Sequence, residues 1–102
     1  MNRVTNIVFA EPTVASRFEQ TGAVRREVAE SLGLVGPAAR ASGCDRDARR
    51  DHATGIYRFV YLPVAVADSG DVMARALVRS VEIRRSFAFL REQLQELPAG
   101  PI

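Results

Sequence analysis

The stretch DVMARALVRSVEIRRSFAFLREQLQEL, residues 71–97, decides the fold class of this chain. A stripe of mostly apolar residues runs through it at alternating spacings of three and four, the pattern of one continuous helix face. Its members are Met73, Ala76, Ser80, Ile83, Phe87, Leu90, Leu94 and Leu97. The spacing predicts a single helix about 40 Å long at 1.5 Å per residue.

Residues on either side predict where this helix begins and ends. The segment 68–71 offers N-cap side chains and carboxylates, which are favourable at the positive end of a helix dipole. Pro98 and Gly100 predict its end, and Asp71 and Arg75 have the spacing of a helix ion pair. Such a helix is long for a domain about 30 Å across. Further apolar residues lie off the stripe, so we expect partners outside this chain; these residues are Val72, Val78 and Phe89.

Shorter elements are predicted before it. Residues 3–10 and 13–19 favour two short helices separated by Pro12. Val24, Val28 and Leu32 are spaced by four and predict an amphipathic helix that ends at Gly33.

The middle of the chain predicts a loop and then a strand. Residues 33–55 are rich in glycine and charge and predict a long ordered loop with one helical turn at 37–41. Residues 56–62 are aromatic and β-branched and predict a strand, with Tyr57, Phe59 and Tyr61 on one face and an end at Pro63. We therefore expect an α+β fold, mostly helical, with one long C-terminal helix, a short strand or hairpin and a long ordered loop.

Composition limits the function classes. The 102 residues, 47% hydrophobic and 25% charged, predict one small globular domain, residues 1–102. All 14 basic residues are arginines, interleaved with 12 acidic ones, and this pattern argues against a nucleic-acid partner. A single cysteine excludes a disulfide framework within the chain. No apolar run approaches the length of a transmembrane helix.

Catalytic chemistry has little support from the residues. His52 lies next to Asp51 but near no nucleophile motif, so a surface role is favoured over acid–base catalysis. Cys44 lies among arginines that would lower a thiol pKa, but a small buried side chain is the favoured interpretation. One thiolate is too few for an ordinary structural zinc site.

The charged run at residues 40–51 is the best functional candidate. Its alternating signs permit internal ion pairs that would fix the loop as a docking surface. A solvated charged loop that contributes little is the equal alternative.

Three stretches resemble one protein family. LVGPAARASGCDRDARRD (residues 34–51), GDVMARALVRSVEIRRS (70–86) and LPAGP (97–101) are similar to the large subunit of membrane-bound nickel–iron hydrogenases of the hydrogenase-4 and formate hydrogenlyase type. They also resemble the homologous D-type subunit of NADH:quinone oxidoreductase, complex I. The resemblance covers residues from about Phe18 to Pro101. The arginine- and aspartate-rich sequence is closer to that of the hydrogenase branch.

Departures from the family pattern shape the functional expectation. The family's hydrogenases hold nickel and iron through two C-x-x-C motifs, which this sequence lacks. Ala53 stands where many relatives have proline, and Cys44 where they have an aliphatic residue. The resemblance implies a structural, non-catalytic piece of a large subunit, with no cofactor of its own. Nickel–iron or quinone chemistry and iron–sulfur clusters would belong to other segments or subunits of an electron-transferring complex.

The resemblance also implies partners and interface residues. Expected partners are the remainder of the large subunit, an iron–sulfur small subunit and, indirectly, membrane subunits; the isolated chain is a candidate homo-oligomer. The expected location is cytoplasmic, peripheral to the inner membrane. A stand-alone interaction module is the alternative, and a small enzyme using His52 the least supported one. The structural or interface candidates are Arg40, Asp45, Asp47, Arg49, Arg50, His52, Arg75, Arg79 and Glu82.

Overall fold

The computed structural model describes residues 2–101, which form six α-helices and one 3₁₀ turn. In chain order these are α1 (Asn2–Ala10), α2 (Pro12–Phe18), α3 (Arg26–Ser31), α4 (Gly36–Ala41), α5 (Ala48–Asp51), the 3₁₀ turn (Gly55–Arg58) and α6 (Val72–Gln95). The body is flat, 51 × 35 × 17 Å, so its shortest dimension is about that of two packed helices.

The long C-terminal helix is confirmed, and so is its capping. α6 has 24 residues, and Asp71 is its N-cap. One carboxylate oxygen of Asp71 accepts from the backbone N–H of Ala74 at 2.8 Å, and the other accepts from the backbone N–H of Gln20 at 2.9 Å. These backbone donors, with a third hydrogen bond from Ser69, lower the pKa of Asp71. The cap therefore also fixes the segment before α3 to the start of α6.

The core lies on a different face of α6 from the predicted stripe. Ala74 and Val78, each 2% exposed, pack with Ala41 of α4 and with Ala65. Small side chains here let α4 lie close against α6. Val78, which is off the stripe, thus belongs to the core, whereas the stripe residues from Ile83 onward are exposed.

A second cluster supports α3. It contains Ala29, Ala39 and Cys44, with Val24 and Leu34 packed against it. The helix predicted around Val24 to Leu32 is present, but its buried face was predicted wrongly. Val28 and Leu32 are exposed, because the neighbouring α4 meets the face that carries Ala29.

The predicted strand at residues 56–62 is wrong. No strand occurs within residues 2–101; this segment begins as a 3₁₀ turn and continues without regular structure. The first backbone N–H groups of this segment bond to nearby carbonyls. The N–H of Tyr57 donates to the Thr54 carbonyl at 3.2 Å, and the N–H of Phe59 donates to the Ile56 carbonyl at 3.0 Å. A strand needs a neighbouring strand for its ladder, and none is available here.

The three aromatic residues of that segment consequently do not share a face. Tyr57 stacks on Phe89 of α6 with ring centroids 6.3 Å apart. Phe59 and Tyr61 point to solvent, 86% and 84% exposed.

The predicted long loop at residues 33–55 contains two short helices, α4 and α5. Beyond it, residues 63–70 have no regular secondary structure and bond to the end of α4. The N–H of Ala67 donates to the Arg40 carbonyl at 2.9 Å, and the N–H of Gly43 donates to the Ala67 carbonyl at 2.8 Å. These bonds fix the position of α4, from which the side chain of Arg40 reaches α6.

Gly70 joins three segments at one point. Its N–H donates to the Ala41 carbonyl at 2.8 Å, and its carbonyl accepts from Val24 N–H at 3.0 Å. Its φ is +64°, and a Cβ here would lie 2.0 Å from the backbone oxygen of Val24. Only glycine fits this position without moving the backbone.

We expect Gly70→Ala to lower the free energy of unfolding by about 3 kcal/mol or more, because both φ and the close backbone oppose a side chain. Gly33→Ala is the matched control. Gly33 has a φ of +66° but no atom within 4 Å of the added Cβ, so only the conformational cost of about 1 kcal/mol applies. Urea unfolding of the three proteins measures both values; equal losses for the two variants would contradict the close-approach argument.

Candidate functional site

A buried ion-pair network joins α4, α5 and α6. Arg40 of α4 is 3% exposed. Its Nη1 lies 3.0 Å from Oδ2 of Asp47, and its Nη2 lies 2.6 Å from Oε1 of Glu82 on α6. One guanidinium therefore holds two carboxylates from two other parts of the chain.

Arg49 closes this network from the solvent side. Its Nε and Nη2 donate to the two carboxylate oxygens of Asp47 at 2.9 and 2.6 Å, a bidentate pair. Nη2 also approaches Oε2 of Glu82 at 3.4 Å. Two arginines thus alternate with two carboxylates, so the network has no net charge. Such a pairing offsets much of the cost of removing charges from water.

Asp47 also caps α5. Its Oδ1 accepts from the backbone N–H of Arg49 at 3.0 Å, and its own N–H donates to Oδ2 of Asp51 at 2.8 Å. A helix of four residues has little stability of its own. Asp47 therefore links the local structure of α5 to the network.

The electrostatics follow this geometry. The side-chain hydrogen bond from Arg49 lowers the pKa of Asp47 to about 2, against the opposing effect of burial. The same hydrogen bond raises the pKa of Arg49. Both groups are charged throughout the physiological range.

Arg40 and Arg49 bind the carboxylates of the network in different ways. The Arg40–Glu82 contact is close enough for an ion pair, but no N–H of Arg40 is aligned with Glu82 Oε1 for a hydrogen bond. Arg40 Nε also lacks a hydrogen-bond partner within residues 2–101. The aligned side-chain hydrogen bonds of the network are those that Arg49 donates to Asp47, whereas Arg40 holds both carboxylates by ion-pair contacts.

The other charged residues of the run form a separate, exposed set. Arg50 pairs with Asp45 at 2.8 Å and with Asp51 at 2.7 Å. The hydrogen bond from Arg50 lowers the pKa of Asp51 and raises that of Arg50. Surface pairs of this kind contribute little to stability.

His52 and Cys44 are not brought together. His52 is the exposed C-cap of α5, and its backbone N–H donates to the Ala48 carbonyl at 3.0 Å. Cys44 is a free thiol buried in the α3–α4 cluster. A groove of about 480 Å³ beside the network is lined by His52 and by the loop Gly33–Gly36.

Arg75 and Arg79, two of the structural or interface candidates, donate to backbone carbonyls. Asp71 caps α6, so the predicted Asp71–Arg75 ion pair is wrong. Arg75 instead donates to the carbonyls of Gly70 and Gly22 at 2.6 and 3.1 Å. Arg79 is exposed and donates to the Arg75 carbonyl at 3.2 Å.

Two kinds of feature do not occur within residues 2–101. No group of three or more histidine, cysteine, aspartate or glutamate side chains is placed there to hold a metal ion. Nor does any helix in this range have the length and apolarity needed to cross a membrane.

Comparison with known proteins identifies the family. Residues 1–102 match the family described as the 49 kDa subunit of respiratory-chain NADH dehydrogenase. The chain belongs to this family. The broad resemblance read from the sequence is therefore confirmed at the level of the D-type large subunits.

Curated members of the 49 kDa subunit family are similar over nearly the whole chain. The D-type subunit of the NADH-quinone oxidoreductase of Desulfitobacterium hafniense is 35% identical over 97 residues, 95% of this chain and 26% of that protein. A subunit of the NAD(P)H-quinone oxidoreductase of Gloeobacter violaceus is 37% identical over 95 residues, 93% of this chain and 24% of that protein. The chain thus spans about a quarter of the length of these relatives.

A solved structure shows the same fold. The chain superposes with a TM-score of 0.87 and 28% identity on one chain of the membrane-bound sulfane sulfur reductase, an archaeal respiratory membrane complex. The alignment covers 98% of this chain and 27% of that one. The helical arrangement described above is therefore a unit found within a much longer polypeptide.

We expect Arg40→Gln to lower the free energy of unfolding by about 3 kcal/mol or more, because Asp47 and Glu82 would be left buried with one arginine between them. Arg50→Gln is the matched control, since Arg50 also holds two carboxylates but at the surface. Its unfolding midpoint should stay close to that of the wild type. Urea unfolding at pH 7 measures both variants; equal shifts would contradict the role of burial.

Stability should also fall in acid because of Asp47. Its pKa is lowered from 3.8 to about 2 on folding, so its contribution is fully present above pH 4 and is lost as the pH falls from about 4 to 2. The contribution corresponds to about 2 kcal/mol. The difference in unfolding free energy between wild type and Asp47→Asn should therefore shrink over this range. A difference that stays constant down to pH 2 would contradict the assignment.

Proposed function

We propose that this chain is a structural, non-catalytic segment of the large D-type subunit of an electron-transferring respiratory complex. The observation that carries the proposal is the family match over all 102 residues combined with coverage of about a quarter of the relatives' length. The segment supplies a rigid helical unit, and the reacting groups belong to other parts of the complex.

The buried network supports this structural role. It commits Arg40, Asp47, Arg49 and Glu82 to one another. Asp71 and Arg75 separately bond to backbone groups at the start of α6. Pairing of this kind sets the relative positions of α4, α5 and α6. A segment held in this way presents its outer faces in a fixed geometry, which reduces the ordering cost of docking.

Cofactors and partners follow as expectations. Nickel–iron or quinone chemistry and iron–sulfur clusters would be held by other segments and subunits. The partners would be the remainder of the large subunit and an iron–sulfur subunit, with membrane subunits in indirect contact. The complex would place this chain on the cytoplasmic side, peripheral to the inner membrane.

The two candidate branches of the family for the parent complex are the quinone-reducing branch and the hydrogenase-4 branch. The curated relatives named above are quinone oxidoreductase subunits, and they favour the quinone-reducing branch. The sequence of residues 45–51 favours the hydrogenase-4 type. The alternative to both is a stand-alone interaction module derived from such a protein.

The test is to follow an epitope-tagged chain in its native host. We expect the tag to migrate with a large membrane-associated complex on a native gel, together with NADH:quinone reductase activity for one branch or hydrogen:viologen activity for the other. Arg40→Gln should reduce the amount of tag in that complex, whereas Arg50→Gln should not. A tag that runs as a free small protein without either activity would contradict the proposal and favour the stand-alone module.

A further inference from the structure

We draw no further inference here: the strongest candidate, the groove beside the buried network that is lined by the loop Gly33–Gly36, Arg40 and His52, carries nothing because the chain spans only about a quarter of the length of its relatives and nothing within residues 2–101 shows what covers the groove.

Discussion

Arg40 places a positive charge where almost no water reaches it, and an unpaired charge there would cost several kcal/mol. Folding must therefore bring carboxylates to it, from the start of α5 and from the middle of α6. The apolar core beside it is built largely of alanines, whose burial contributes less than that of larger side chains. The ion pairs are thus the contacts that determine how α4, α5 and α6 are arranged.

The fold was predictable where the signal was local. The spacing in residues 71–97 and the cap candidates in residues 68–71 predicted α6, and proline and glycine positions predicted the ends of the short helices. The strand at 56–62 was wrong because a strand depends on a distant partner, and aromatic, β-branched composition does not say whether one exists. The buried face of α6 was also not predictable, since it depends on where α4 lies.

The residues of the candidate site were predictable from the sequence, but which of them are buried was not. Alternating charges pointed to Arg40, Asp47, Arg49 and Arg50 alike, and Glu82 came from the resemblance. Nothing local distinguishes Arg40, which is buried, from Arg50, which lies at the surface, because burial is decided by the approach of α6. The close approach of Gly70 to Val24 was likewise invisible, since it joins segments far apart in the chain.

The division of α6 into a packed half and an exposed half has a consequence for how it forms. Starting a helix is the unfavourable step, and adding residues to an existing one costs far less. The packed turns around Ala74 and Val78, with the cap at Asp71, provide that start. The exposed turns beyond Ile83 extend an existing helix rather than initiating one. A surface of this kind stays close to its helical form before contact, although few tertiary contacts hold it.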